Sequence, residues 1–458
     1  MIPILITLLS LLSTVVSADN WAVLFAGSSS YGNYRHQSDI MHAYHTLIDH
    51  GFDNNKIITF IYDDIASDPN NPYPGQVFNK PSKGKGFDVY KNFKKSYIGN
   101  DVNSTNLFNV LMGNASAMKG IGSGEVLNST SNDNVFFAYA DHGGALQIET
   151  PVDAIYADDL NATFTYMYEN KMYNKMVVYI EACESGSMFD GILSPNINIY
   201  ATTAANPDQS SWGWFCPDGG VDPQDPGSIV NGVDLNTCLG DLYTISWLEN
   251  TDWANSTETL QQQYLIVKNK TIMSQVMQYG DTSFTNMSIW SFMGNRQKYL
   301  RRDTKAENMI GNAINSRDAS FYSLVNIWFK QNIDSDILSN KILDELQNRK
   351  TWKYTIESIT NNTIIKPNIT NFKCYKNVDS NLVYTLCGKY SDWSLQYGKV
   401  IAELCNQIDE YSIINKLTEK CKESNIIAKN TIIYDNVINI KMNSINAYEA
   451  FNKLLSLI

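Results

Sequence analysis

From Trp21 to about Gln297, short continuous apolar runs alternate with longer mixed segments. WAVLFAG, KIITFIYDD, NVFFAYADHGG, KMVVYIEACESGSM and INIYATTAAN are β-rich runs bounded by Gly, Asp or Asn. That is how strands buried on both faces of a parallel sheet read. A polar helical stretch, Gln37 to His50, separates the first two runs. After about Arg301 the pattern changes: LVNIWFKQNI, DILSNKILDELQN and SLQYGKVIAELCNQI return apolar residues at steps of three and four, as amphipathic helices do. The prediction is an α/β first domain followed by an all-α tail, with no internal repeat.

A length of 458 residues fits two domains better than one. The apolar stretch from Ile2 to Val16 is too short to cross a bilayer, and Val16, Ser17 and Ala18 place small residues where signal peptidase cuts, although the usual charged start is missing. We expect an exported chain cleaved after Ala18, with no later membrane span. Nine Asn-x-Ser/Thr sequons, at Asn103, Asn114, Asn128, Asn161, Asn255, Asn269, Asn286, Asn361 and Asn368, are then glycan acceptors in principle. Seven cysteines leave one unpaired in an oxidising compartment, and Cys183 stands apart from Cys216, Cys238, Cys374, Cys387, Cys405 and Cys421.

Two of the apolar runs end in reactive side chains: His142 follows NVFFAYAD and Cys183 follows KMVVYIEA. Parallel strands that stop at a common edge bring such ends together. An imidazole beside a thiol makes a nucleophile suited to acyl transfer. Gly143 and Gly144 would let a substrate carbonyl approach, and the Gly143 amide is the candidate oxyanion donor. The blander readings are a polar strand end for His142 and a buried structural thiol for Cys183, which the polar neighbours Glu181, Glu184, Ser185 and Ser187 disfavour. Those acidic neighbours would raise a thiol pKa, so the imidazole has to offset them. His42 and His45, with His36 or His50, could be drawn as a zinc site, but no carboxylate-histidine motif of metal-binding spacing accompanies them, and no metal or other cofactor is expected.

The formal net charge of −12 excludes nucleic acid as a partner, since no basic stripe exists to neutralise phosphates. Residues 341–458 hold 15 Lys/Arg against 12 Asp/Glu, a net of +3, which leaves −15 on the remainder. A mildly basic tail should therefore dock on an acidic domain, through an attraction that acid weakens.

YRHQSDIMHAYH, YDDIA, NPYPGQVFNKP, GIGSGEVL, ADHGG, MVVYIEACESGSMF, YATTAANPDQSS and CLGDLYTISWLE resemble, in order and spacing, the legumains, also called asparaginyl endopeptidases or vacuolar processing enzymes. SRDASFYSLVNIW and the last four cysteines are similar to that family's C-terminal prodomain, and SSWGWFCP with Cys238 to its plant-type branch. The transamidase that attaches glycosylphosphatidylinositol anchors shares the His–Cys sheet, but its cysteine motif differs and it lacks such a tail.

The resemblance implies a caspase-like α/β/α sandwich with a mainly parallel sheet, and a division into signal peptide (1–18), peptidase domain (19–297), activation linker (298–345) and helical, disulfide-stapled prodomain (346–458). It implies that Cys183 attacks the carbonyl, that His142 is general base and acid, and that Asn33 orients the histidine. Asp141 matches an aspartate that can become a succinimide. Arg35, Glu181 and Asp241, with Ser210 and Ser211, match the specificity pocket. A carboxamide needs a donor on one side and acceptors on the other, which Arg35 and the two acids supply; a substrate aspartate would be admitted only once protonated.

The implied disulfides are Cys216–Cys238, Cys374–Cys405 and Cys387–Cys421. The implied partners are protein and peptide substrates with exposed Asn, and the chain's own prodomain as inhibitor, removed by acid-triggered cleavage in a lysosome or vacuole, or after secretion. Candidate cutting points are Asn312, Asn315, Asp318, Asn326, Asn332, Asp334 and Asp336. Some members also ligate peptides; Gly213 beside Trp212 falls where those vary and looks more protease-like. A binding protein that inhibits papain-like proteases through its tail is the reading from another class. The extension past Cys421 goes beyond the family's usual end, and its pattern allows a final amphipathic helix.

Overall fold

The computed structural model describes residues 19–217, 226–294, 312–330, 336–360, 371–385 and 391–458. The signal segment, Cys387, Asn332, Asp334, Asn361 and Asn368 lie outside them.

Seven strands form the central sheet: β1 (Asn20–Ala26), β2 (Ile57–Ile61), β3 (Tyr97–Ile98), β4 (Asn134–Ala140), β5 (Lys175–Glu181), β6 (Ile199–Thr203) and β7 (Met277–Gly280). Their order is β7-β6-β5-β4-β1-β2-β3. All neighbours are parallel except β7, which runs antiparallel to β6 at one edge. Alternate residues of each strand enter opposite cores, as the two-residue period of a strand requires. Val23, Phe25, Phe137, Val178 and Ile180 face one core, and Leu24, Phe136, Ala138, Val177 and Tyr179 the other. The helices Tyr34–Asp49, Leu242–Trp253 and Leu260–Lys270 cover the second face, and Ser104–Leu111 and Ala157–Glu169 the first.

The C-terminal region is helical: Ser316–Lys330, Asp336–Thr360, Phe372–Thr385, Gly398–Gln407, Glu410–Thr431, Tyr434–Met442 and Ala447–Leu455. It joins the first core through Trp352, Tyr375, Leu395 and Ile401, and Tyr375 donates its hydroxyl to the Ala145 carbonyl at 2.8 Å. The span 298–345, expected as a linker, contains the Ser316–Lys330 helix and the start of the next. The extension past Cys421 finishes Glu410–Thr431 and then makes two helices, the last of them amphipathic and capped where the Asn446 side chain accepts from the Glu449 amide. Phe451 and Leu454 of that last helix pack with Tyr322 and Trp328.

Among the described residues two bridges have both partners placed, Cys216–Cys238 and Cys374–Cys405, and Cys421 is also disulfide-bonded. Cys183 is the free cysteine among the described residues. No helix of the described residues is long and apolar enough to cross a membrane.

Candidate active site

β4 and β5 are neighbours in register, with Ala140 opposite Glu181. His142 and Cys183 each lie two residues beyond that pair, so the two reactive groups leave the sheet at one edge. The Asp141 amide donates to the Glu181 carbonyl at 3.0 Å and extends the pairing toward them. Just past Cys183 the chain turns through Glu184 at φ 54°, a left-handed conformation that is unusual for a residue with a side chain. Gly143 fills the gap between the two chain ends: a Cβ there would lie 2.7 Å from the Cys183 carbonyl oxygen.

His142 is 2% exposed, with Nε2 at 2.9 Å from Asn33 Oδ1 and 3.1 Å from Asp392 Oδ2. Both neighbours are acceptors, so Nε2 carries the proton and donates. Nδ1 has no hydrogen-bond partner and keeps its lone pair. Burial lowers the imidazole pKa despite the opposing pull of the Asp392 carboxylate, and the neutral base is favoured. Cys183 Sγ accepts from the Ser211 amide at 3.3 Å and lies 3.6 Å from its hydroxyl. No hydrogen bond joins Cys183 to His142 in this state. The acidic neighbours of the thiol are turned to other partners: Glu181 to Thr244, and Glu184 to Arg317.

Beside them Arg35, fully buried, donates from Nε to Asp241 at 2.8 Å, from Nη1 to Asn33 Oδ1 at 3.4 Å and from Nη2 to the Ser316 carbonyl at 3.3 Å. One Glu181 oxygen accepts from the amide and hydroxyl of Thr244 at 2.8 and 3.0 Å, while the other has no hydrogen-bond partner. Asp39 adds a third buried carboxylate, accepting from the Asp241 amide at 3.1 Å and from Asn79 at 2.7 Å. Burial, then the charge of Asp241, push Asp39 and Glu181 well above the usual carboxylate range. Asp39 went unnamed in the sequence reading, although it stands four residues after Arg35 on one helix, the spacing that sets side chains on one face.

Part of the C-terminal region fills this hollow. Ile314–Asn315 pairs antiparallel with Trp212–Trp214, which pairs on its other side with Gly240–Asp241. The Ser316 amide donates to the Ser211 carbonyl at 3.0 Å. The Ser316 hydroxyl accepts from Ser211 at 3.1 Å and donates to Asp241 at 3.4 Å. Arg317 donates to Glu184 at 3.1 Å and to the Asp392 carbonyl at 3.4 Å. Cys216–Cys238 fastens the wall, and a Cβ on Gly213 would come within 3.1 and 3.4 Å of its two sulfurs. Ser210 is half-buried and makes no hydrogen bond among the described residues.

The histidines considered for zinc do not converge as drawn. His42 faces Asn79 and Asp252, His45 the Val89 carbonyl and His50 the Thr46 carbonyl. His36 turns instead to Asp141, at 3.0 Å.

A free thiol and an imidazole with an available lone pair, leaving neighbouring strands at one edge of a parallel sheet, are the parts of a cysteine peptidase. The profile of the Peptidase C13 family matches residues 20–295. The chain is 37% identical over 420 residues to a vacuolar-processing enzyme of Vicia sativa, covering 84% of this chain and 82% of the relative. It is 38% identical to the vacuolar-processing enzyme delta-isozyme of Arabidopsis thaliana, covering 88% and 90%, and 35% identical to legumain of Canavalia ensiformis, covering 84% and 85%. The protein belongs to the Peptidase C13 family and is a cysteine endopeptidase that acts on protein substrates.

Proposed function

We propose that this peptidase cleaves after asparagine, that Cys183 is its nucleophile, and that the chain is a zymogen whose C-terminal region occupies the cleft. In this reading His142 Nδ1 takes the thiol proton as sulfur attacks the carbonyl carbon. The C–N bond breaks as the same proton passes to the leaving amine, and water then releases the acid. Asn33 holds the Nε2–H tautomer, and the Gly143 amide receives the developing oxyanion.

The observation that carries the reading is the buried Arg35–Asp241–Glu181 cluster, which holds one donor group and several acceptors. A carboxamide uses both; a charged aspartate brings one more negative charge to buried acids and is taken only when protonated. Ser316, seated against Arg35, Asp241 and Ser211, is a side chain too short to fill the same place, which supports a blocked state. A free amine in place of water would give ligation. Export to a vacuole or lysosome fits the acid dependence.

Acid acts on the docked region in two directions. Glu184 is raised to about 7 by burial, against the pull of Arg317. A carboxyl with a raised pKa in the docked state favours docking as pH falls through 7, so this contact does not release the tail. Lys376 bridges Asp158 and Asp159 at 2.8 and 2.7 Å across the interface, and these pairs are lost when aspartate protonates.

The full chain and its Cys183→Ala variant, incubated at pH 4.5 and pH 7 with a peptide containing one Asn and one Asp, test the whole reading by mass spectrometry. We expect cutting after Asn at both pH values once the tail is removed, after Asp only at pH 4.5, and self-processing only with Cys183. A Cys183→Ala chain that processes itself, or Asp cleaved at pH 7 as well as Asn, would sink it.

A further inference from the structure

We propose that the intact protein binds one divalent transition-metal ion of the zinc class through His36, Asp141 and His142, and that the bound ion withdraws His142 from catalysis. One ligand atom from each of the three residues lies within 4.8 Å of the others, and all three residues are at most 2% exposed. A tetrahedral zinc ion with bonds of about 2.0–2.2 Å spaces its ligands by roughly 3.3–3.5 Å, so side-chain rotations of about 1 Å close the site.

The hydrogen bonding leaves these atoms free to ligate. His142 Nε2 is committed to Asn33 and Asp392, while its Nδ1 is buried with no hydrogen bond. Asp141 Oδ1 lies 3.0 Å from His36 Nδ1 but is not aligned for a hydrogen bond. His36 Nδ1 otherwise meets the Ser28 hydroxyl at 2.7 Å, which can rotate away. Gly27 gives the Asp141 carboxylate its room: a Cβ there would come within 2.5 Å of Oδ2.

Both imidazoles also have the outer partners that metal-binding histidines need. Asp392 and Asn33 face the far nitrogen of His142. Asp241 Oδ2 stands 3.6 Å from His36 Nε2, and neither atom has another hydrogen-bond partner. Two imidazoles and one carboxylate suit zinc, with a fourth position for water; calcium and magnesium take oxygen ligands. Entry is through a cavity of about 980 Å³ between the sheet and the C-terminal region, lined by Ser28, Asp141 and His142 among others.

The test needs no substrate, so its outcome is separate from that of the asparagine reading. Zn²⁺ is titrated into the full chain carrying Cys183→Ser, which removes the thiol, and Co²⁺ is added in parallel to read a visible four-coordinate spectrum. We expect one saturable site, weakened at least tenfold by His36→Gln and by the isosteric Asp141→Asn, and unchanged by His42→Gln. Should His36→Gln fail to fold, as judged by circular dichroism, Asp141→Asn decides. Absence of saturable binding, or equal binding in the folded variants, overturns the proposal. In the processed Cys183 enzyme, Zn²⁺ should stop cleavage and a chelator restore it, with His36→Gln needing at least ten times more metal; equal inhibition would assign the ion to the thiol and overturn it as well.

Discussion

The sheet region and the C-terminal region hold themselves together by different means. Strands β4 and β5 are buried almost end to end and feed two large cores. At their edge the same region tolerates polar atoms without hydrogen-bond partners: His142 Nδ1, Glu181 Oε1, Glu184 Oε2 and Asp241 Oδ2. Each such group costs roughly 1–3 kcal/mol. The C-terminal region has a smaller core around Tyr322, Trp328 and Phe451, leaves Tyr411, Ile426, Met442 and Ile445 exposed, and relies on disulfides and capped helices. The sheet region sets its unpartnered polar atoms at the edge of a large core, whereas the C-terminal region joins a smaller core to staples and caps.

The largest test of that contrast is Cys183→Ala. Peptidase activity should fall at least about 10³-fold with the melting temperature unchanged, because the thiol works without supporting the core. A large loss of stability would make it a structural thiol and break the comparison.

Next, Phe451→Ala removes a ring 4.9 Å from Tyr322 and 5.9 Å from Phe321. It should cost about 4 kcal/mol, confined to the C-terminal region. Hydrogen exchange should quicken in Ser316–Lys330 and not in β4 or β5; equal quickening in both would show a single cooperative unit.

Cys405→Ser opens the bridge to Cys374, which spans 31 residues, and should cost about 4 kcal/mol on the loop-entropy model. Limited proteolysis within 371–431 reads that loss, and an unchanged cutting rate would show that packing alone suffices.

The smallest effect sharpens the contrast inside the sheet region. His42 lies 3.2 Å from Asp252; the Asp252 partner outweighs burial and raises the imidazole, while His42 lowers the carboxylate. The raised histidine stabilises fully below its ordinary 6.5 and fades as pH rises through its higher folded value. The lowered aspartate stabilises above its ordinary 3.8 and fades as pH falls through its lower folded value. His42→Gln should therefore cost about 1 kcal/mol near pH 5 and progressively less above pH 7, by urea unfolding at each pH. A flat profile would show that the pair contributes by packing alone.

The legible parts were those governed by local pattern. NVFFAYA and KMVVYIE are apolar on consecutive positions, so their burial on both faces and the shared edge for His142 and Cys183 could be read directly. The amphipathic tail helices were equally visible. Their register and docking were not: Ile314–Asn315 is a strand only because Trp212–Trp214 lies beside it, and Asp392 meets His142 through tertiary folding with no periodic signal. The break before the last helix did have a signal, an Asn446 with Glu449 three residues on, which is a capping pattern. Net charge alone implies an attraction that acid weakens. The interface instead mixes Lys376 pairs with a buried Glu184 that responds to acid in the opposite sense, because burial, unlike net charge, cannot be counted from composition.

Trp212–Trp214 is an inner strand only while residues 314–315 lie against it. In the activated state we propose, with those residues gone, three residues of main chain would present unpaired amides and carbonyls along one side. That edge is short enough to resist sticking to its own kind and long enough to grip an extended visitor. On that proposal targets would have to offer unwound, loop-like stretches, and a residue locked inside a helix would escape until its host loosens.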